Sequence, residues 1–427
     1  MLKEGYKRCE IGVIPEDWEV KSIGNCSDVT KLAGFEFTEY INYIDDGEII
    51  ALRALNLKNG KLELSDVKRI DKVVSEGLQR SKLHLGDMLF SYVGTVGEVA
   101  LIEEDDKYHL APNVAKITFR DIVKPEYAIQ YFMGEVIKDE VRKYVTTTSQ
   151  PALSMENIRK MKIIVPPLKE QEKIAEILST VDCQIDDTKM LIEKCRVLKK
   201  GLMQRLLSRG IGHCEFKNSE VGEIPVGWEV LGFFDFVERI IDFRGRTPKK
   251  LGLDWGGGDI LALSANNVKM GNIDFTIENY FASNELYEKW MLGSELCKND
   301  ILMTMEAPLG NVALVPDNKK YILSQRVVAL KTKEFINNEF MLYMIMSDII
   351  QNQLNMLSTG TTAKGINQKN LAKVKVVIPT LEEQEKIAQI LSSVDNQIEE
   401  YENKKQQLEE LKKGLMQQLL IGKIRTV

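Results

Sequence analysis

The sequence predicts an α+β fold class built twice: two pseudo-repeated α/β domains separated by two long antiparallel helices forming a coiled-coil rod. Three observations predict it. Leu168–Asp182, LKEQEKIAEILSTVD, returns as LEEQEKIAQILSSVD at Leu381–Asp395, changed only at Lys169/Glu382, Glu176/Gln389 and Thr180/Ser393. Both copies run on into nearly the same words, LKKGLMQRLL at Leu198–Leu207 and LKKGLMQQLL at Leu411–Leu420. In each half, short apolar runs bounded by Gly, Asp or Pro precede a single helical pattern, the order of an α+β domain. A repeat this close is settled before any other feature, because it fixes what every other residue must be compared with.

The expected domains are 1–165, a first globular half; 166–210, a first helix; 211–378, a second globular half; and 379–427, a second helix. Each half opens on the same box, GVIPEDWEV at Gly12–Val20 and GEIPVGWEV at Gly222–Val230. The proline fixes a turn there, and the tryptophan is expected to fill a core edge. Further matches keep register. NLKNGKL at Asn56–Leu62 answers NVKMGNI at Asn267–Ile273, and GEVAL at Gly97–Leu101 answers GNVAL at Gly310–Leu314. Apolar periodicity and turn glycines survive between the halves while polar residues change, the pattern of one fold carrying two surfaces.

Asp87–Tyr92, Val114–Phe119, Asp300–Met305 and Val327–Thr332 read as strands. Pro125–Tyr144 and its counterpart Asn338–Leu357 each read as one helix, the first begun at proline. Polar loops follow at Thr146–Ser154 and Ser358–Gln368, then short strands KIIV at Lys162–Val165 and KVVI at Lys375–Ile378, each stopped by proline. The glycine run WGGGD at Trp255–Asp259 reads as a turn. In the first long helix, Ile174, Leu178, Val181, Ile185, Thr188, Ile192 and Cys195 alternate by four and three, and Leu202 and Leu206 continue past Lys199. The second runs Ile387, Leu391, Val394, Ile398, Tyr401, Lys405, Leu408, then Leu415 and Leu419 past Lys412. This is a heptad seam, and a lone helix of roughly 40 residues with one apolar stripe needs a partner. The other copy is the expected partner, the alternative being that each helix packs on its own globular half.

The chain has 427 residues, a net charge of −6 and six scattered cysteines without a CxxC pair. Reduced, mostly buried thiols are expected, and three distant histidines argue against a zinc site. The charge argues against a general polyanion binder but leaves room for a confined basic face. No apolar run approaches the ~20 residues of a membrane span, and the N-terminal segment lacks an apolar signal core, so no membrane and a cytoplasmic location are expected. There is no GxGxxG turn, no phosphate loop and no Asn-Pro-Pro or Asp-Pro-Pro step, so no catalytic residue and no cofactor are assigned.

Binding features are better represented. Phe243–Lys250, FRGRTPKK, gathers Arg244, Arg246, Lys249 and Lys250, whereas the matching KLAGFEFT at Lys31–Thr38 is not basic. Arginine suits phosphate and bidentate guanine contact. The polar loops contribute Thr147, Ser149 and Gln150 in one half, and Thr361, Thr362 and Lys364 in the other. Arg53 and Asn56, Asn266 and Asn267, and the matched Asn113 and Arg326 complete the candidate DNA-contacting set. Ordinary solvated loops are the alternative for all of them.

The doubled IPxxW box, the doubled P-x-L-x-EQ-x-x-I box and the helix ending in GLMQxLL, with two divergent blocks between, resemble the specificity subunit of type I restriction-modification systems over essentially the whole chain. The resemblance implies that each divergent block is a target recognition domain reading one half of a split sequence in double-stranded DNA. It implies that the shared helices set the spacing and dock two methyltransferase subunits, joined by restriction subunits in the full complex. The methyl donor, ATP and Mg²⁺ would belong to those partners. Glu170, Gln171, Glu383 and Gln384 sit in the first helical turns, where acidic side chains favour the N-terminus. Retention of the two glutamines suggests a further role in docking the head or a methyltransferase. One departure is that Gly245–Pro248 carries the family-like Gly-x-Thr-Pro turn, whereas Gly34–Phe37 reads GFEF. A coiled-coil adaptor without a DNA role and a self-contained nucleic-acid enzyme are the competing readings.

Overall fold

A computed structural model of the chain describes residues 4–146, 150–277, 280–360 and 364–426. It divides into two compact units, Met1–Lys189 with Asn403–Val427, and Met190–Glu402. Each unit contains one head, the start of the long helix that leaves it, and the end of the other long helix.

The head of the first unit is organised on a four-stranded antiparallel sheet ordered Val99–Leu101, Met88–Ser91, Val114–Phe119 and Ser27–Lys31. Met88–Ser91 is buried along its whole length because both faces of the sheet are covered. Met88, Phe90, Ala115 and Ile117 face one core, with Tyr127, Tyr131 and Phe132 of the following helix. Leu89, Ala100 and Val114 face the other, with Ile49, Leu52 and Leu110. Successive residues of a strand point to opposite faces, so one run feeds two cores. The second core lies against a three-stranded sheet in which Tyr108–Leu110 runs parallel to Ile49–Leu52, itself antiparallel to Lys68–Ile70.

The second unit repeats the plan. Leu309–Leu314, Ile301–Met305, Val327–Thr332 and Val237–Asp242 form its four-stranded antiparallel sheet. Ile301, Met303 and Met305 face one core and Leu302 the other. Tyr280–Ala282, Ile260–Leu263 and Tyr321–Leu323 form the smaller sheet.

The six strands read from the sequence are present, Val114–Phe119, Lys162–Val165, Val327–Thr332 and Lys375–Ile378 with the expected bounds. The two long head helices are each broken. Pro125–Met133 and Glu135–Tyr144 meet at Gly134, and Asn338–Met346 and Asp348–Leu357 meet at Ser347. Both breaking residues are extended, at φ −76°, ψ 163° and φ −68°, ψ 155°. Trp255–Asp259 is a turn, with the Gly256 N–H donating to the Phe281 carbonyl at 2.7 Å.

The long helices span Leu168–Arg209 and Leu381–Leu419, 42 and 39 residues. The seam residues Ile174, Leu178, Val181, Ile185, Thr188 and Ile192 are buried, as are Ile387, Leu391 and Leu419. The helices pair antiparallel inside each unit. In the first, the Lys412 ammonium meets the Asp182 carboxylate at 2.7 Å; in the second, Lys199 meets Asp395 at 2.5 Å. The lysines that interrupt the apolar seam thus face an acid on the opposing helix. Among the described residues, no helix is long and apolar enough to cross a membrane.

Candidate nucleic-acid interface

The site begins with the joint that holds each head on its helix. The shared boxes meet there. The strand after the tryptophan, Glu19–Ser22 or Glu229–Gly232, pairs antiparallel with the strand before the helix, Lys162–Val165 or Lys375–Ile378. Trp18 then donates its indole N–H to the Glu170 carboxylate at 3.1 Å, and Trp228 donates to Glu383 at 2.9 Å. Glu170 also receives the Arg425 guanidinium at 2.8 Å, whose other nitrogens hold Asp17 at 3.0 and 2.7 Å. Glu383 receives the Ile211 N–H and stands 2.9 Å from the His213 imidazole Nε2. The chain leaving each long helix therefore supplies a group to a first-turn carboxylate in the same unit.

Gln171 and Gln384 are fully buried. The Gln171 side-chain oxygen accepts the Lys124 N–H at 2.8 Å, and its amide donates to the Ile122 and Pro166 carbonyls at 2.9 and 2.8 Å. Gln384 repeats this with the Asn337 N–H and the Phe335 and Pro379 carbonyls at 2.8, 3.1 and 3.0 Å. Glu170, Gln171, Glu383 and Gln384 are expected to dock the head or a methyltransferase, and their hydrogen bonds lie within the head–helix joint. Their polar atoms are bonded inside the unit, and Glu170, Gln171 and Gln384 are buried. Docking the head is the part of the earlier reading that the geometry supports.

The candidate contact residues separate into two kinds. Asn56 and Asn267 are fully buried and fasten equivalent turns. Asn56 accepts the Arg53 N–H at 3.0 Å and donates to the Glu63 and Asp66 carbonyls at 2.8 Å; Asn267 accepts the Ser264 N–H at 3.1 Å and donates to the Asp274 carbonyl at 3.2 Å. A base-contacting role for these two amides is corrected to one of shaping the turn. Arg53 is tied to Asp66 by its guanidinium, 3.1 Å from the carboxylate. Arg244 grips Asp242 through several nitrogens, the closest 2.6 Å away, and donates to the Ile366 carbonyl at 3.1 Å. Burial would raise the Asp242 carboxyl, but hydrogen bonds from Arg244 and Gln368 outweigh it and hold the group below the usual aspartate value. Arg244 is thus a strut of the loop, and the exposed cations beside it are Arg246, Lys249 and Lys250.

Asn113, Gln150, Arg246, Asn266, Arg326 and Lys364 are exposed. In the second head several of them converge. A groove of about 420 Å³ is lined by Asn266, Gln325 and Arg326 together with Trp255, Tyr280 and Ser324. The Gln325 amide donates to the Arg246 carbonyl, placing the basic loop at this rim, and the Arg246 guanidinium lies 5.2 Å from the Phe243 ring centroid. Lys364 does not line this groove; its carbonyl accepts the Ala307 N–H at 3.3 Å. In the first head, the Gln150 loop is held by the Gly94 N–H donating to the Pro151 carbonyl at 2.9 Å. Thr147, Ser149, Thr361 and Thr362 lie outside the described residues. Cations, amides and aromatic rings around an open groove are groups that contact phosphates and base edges. Among the described residues, no cluster of His, Cys, Asp and Glu could hold a metal ion.

Sequence reading missed the tryptophan–glutamate bonds and the acids opposite the seam lysines. Both were signalled by identity between the copies, since Trp18/Trp228, Glu170/Glu383, Asp182/Asp395 and Lys199/Lys412 are the same residues at matched places.

Residues 15–195 and 225–410 each match the type I restriction modification DNA specificity domain. The chain belongs to this family. The putative type I restriction enzyme MjaX specificity subunit of Methanocaldococcus jannaschii is 30% identical, with 99% of this chain and 97% of that protein aligned. The MjaVIII specificity subunit of the same organism is 28% identical over 99% and 96%. Among solved structures, the type I restriction-modification S subunit from M. genitalium shares the fold at a TM-score of 0.58 and 14% identity, covering 98% of this chain and 97% of that one.

Proposed function

We propose that this chain is the DNA specificity subunit of a type I restriction-modification complex, acting in the cytoplasm and without catalysis of its own. Each head reads one half of a bipartite double-stranded target. The paired helices set the spacing and dock two methyltransferase subunits, with restriction subunits added for cleavage. The observation that carries this reading is one scaffold made twice, with its shared residues buried in the head–helix joints and its polar residues changed on the exposed rims. Phosphate contacts would position each head, and a few side chains would distinguish bases.

The docking surface is drawn from residues that are identical in both copies yet exposed. Leu168 and Leu381, and Leu198 and Leu411, fit this description, the last two 53% and 51% exposed. Burial within the subunit does not account for their identity, and apolar side chains on a helix suit a protein partner. The test is co-purification with the methyltransferase subunits of the host. Wild type should carry two of them by native mass. Leu198→Asp with Leu411→Asp should lose them while thermal unfolding of the isolated chain stays within a few degrees. Full retention by the double variant would contradict the assignment of this surface.

A further inference from the structure

The two heads hold different side chains on one matched scaffold position. Asn113 and Arg326 each stand immediately before a central strand of the four-stranded sheet, followed by fully buried Val114 and Val327. The Asn113 carbonyl accepts the Tyr92 N–H at 3.0 Å, and the Arg326 carbonyl accepts the Met305 N–H at 3.0 Å. Tyr92 and Met305 are themselves matched residues. The same backbone hydrogen bond is made in both heads, although Asn113 takes a left-handed backbone at φ +71° and Arg326 does not, and both side chains are exposed.

Other matched candidates lack this combination. Asn56 and Asn267 are buried. Arg53, opposite Ser264, is tied to Asp66. Leu55, opposite Asn266, offers no hydrogen bond in the first head. Arg326 is also aimed: its Nε lies 3.6 Å from the Glu306 carboxylate, and preceding Gln325 is anchored on the Arg246 carbonyl at the groove rim.

A phosphate contact would be expected to use similar groups in both heads, because the DNA backbone is the same in each half-site. A side chain that changes chemistry at a matched position of the sheet is suited instead to carry the difference between two half-sequences. Arginine presents a fork matching guanine O6 and N7, and asparagine matches adenine N6 and N7. Resting on the specificity-subunit reading above, we propose that Arg326 reads a guanine in one half-site and Asn113 an adenine in the other.

The experiment maps methylation genome-wide in a methylation-deficient host expressing the complex with its own methyltransferase subunits. It compares wild type, Arg326→Ala and Asn113→Ala. Arg326→Ala should relax one guanine position of one half-sequence, lowering discrimination there roughly tenfold to a hundredfold, and leave the other half unchanged. Asn113→Ala should do the same at one adenine of the other half. An unchanged motif, relaxation at a different base, or relaxation of both halves by one substitution overturns the assignment. If a variant abolishes methylation, binding of the purified complex to duplexes substituted at each motif position decides. Loss of preference at one base supports the assignment, and uniform weakening marks a phosphate contact and overturns it. A wild type without a bipartite motif would instead overturn the specificity-subunit reading itself.

Discussion

Gln171 and Gln384 join residue chemistry to architecture. Each buried amide satisfies one N–H and two carbonyls at the point where a head meets its helix. Gln171→Ala leaves those groups without their partner, and unfolding in urea should show a loss of about 2–4 kcal/mol. A change below about 0.5 kcal/mol would mean that water replaces the amide. Asp242 gives the second residue-scale expectation. Its folded pKa lies below the ordinary ~3.9. The stability it contributes is therefore full above that value and is lost as pH falls through the lower, folded value. Asp242→Asn should lower stability at pH 7 and flatten the acid-side loss in urea unfolding repeated down to pH 3. An unchanged acid-side slope would contradict this. The sequence displayed these residues without their partners. Gln171 was visible as a retained residue, but the carbonyls it serves lie far along the chain at Ile122 and next to it at Pro166. Arg244 and Asn56 read as contact residues because residue type does not reveal that Asp242 and the Glu63 carbonyl already hold them.

Among the elements, the long helices were the most legible, because a heptad seam is a local, repeated signal. Their ends were less so. Gly210 follows the first long helix at φ +65°, and its N–H donates to the Leu206 carbonyl at 3.2 Å. A Cβ there would meet the Glu383 carboxylate and lie 2.7 Å from the Trp228 ring. Gly422, past the second helix at φ +68°, backs on Pro15 and Trp18 in the same way. These glycines let the chain turn against the tryptophan joint. Gly210→Ala should cost about 2–4 kcal/mol by urea unfolding, combining left-handed backbone strain with overpacking. Gly201→Ala is the control: it lies inside the helix with open space around it, and should stabilise by about 0.5–1 kcal/mol. Equal effects at the two sites would remove the joint as the explanation. The broken head helices escaped sequence reading because Gly134 is a weak local signal and Ser347 weaker still, while the bends answer to the cores beneath them.

For the whole molecule, duplication was legible from the first repeated box, and with it the α+β class and the family. The division into units was not, because a helix that is continuous in sequence contributes to both units. The net charge of −6 describes no surface, since it does not show that Arg246, Lys249 and Lys250 stand exposed together in one loop of the second head. Under the proposed function, two heads with one scaffold and different rims are expected to read a target with two unlike halves. The most direct measurement is the genome-wide methylation pattern of a host expressing the wild-type chain with its methyltransferase subunits, compared with the same host lacking this chain. The account predicts one motif of two different half-sequences separated by a fixed unspecified gap, absent without the chain. A continuous or palindromic motif, or methylation that persists without the chain, would contradict it.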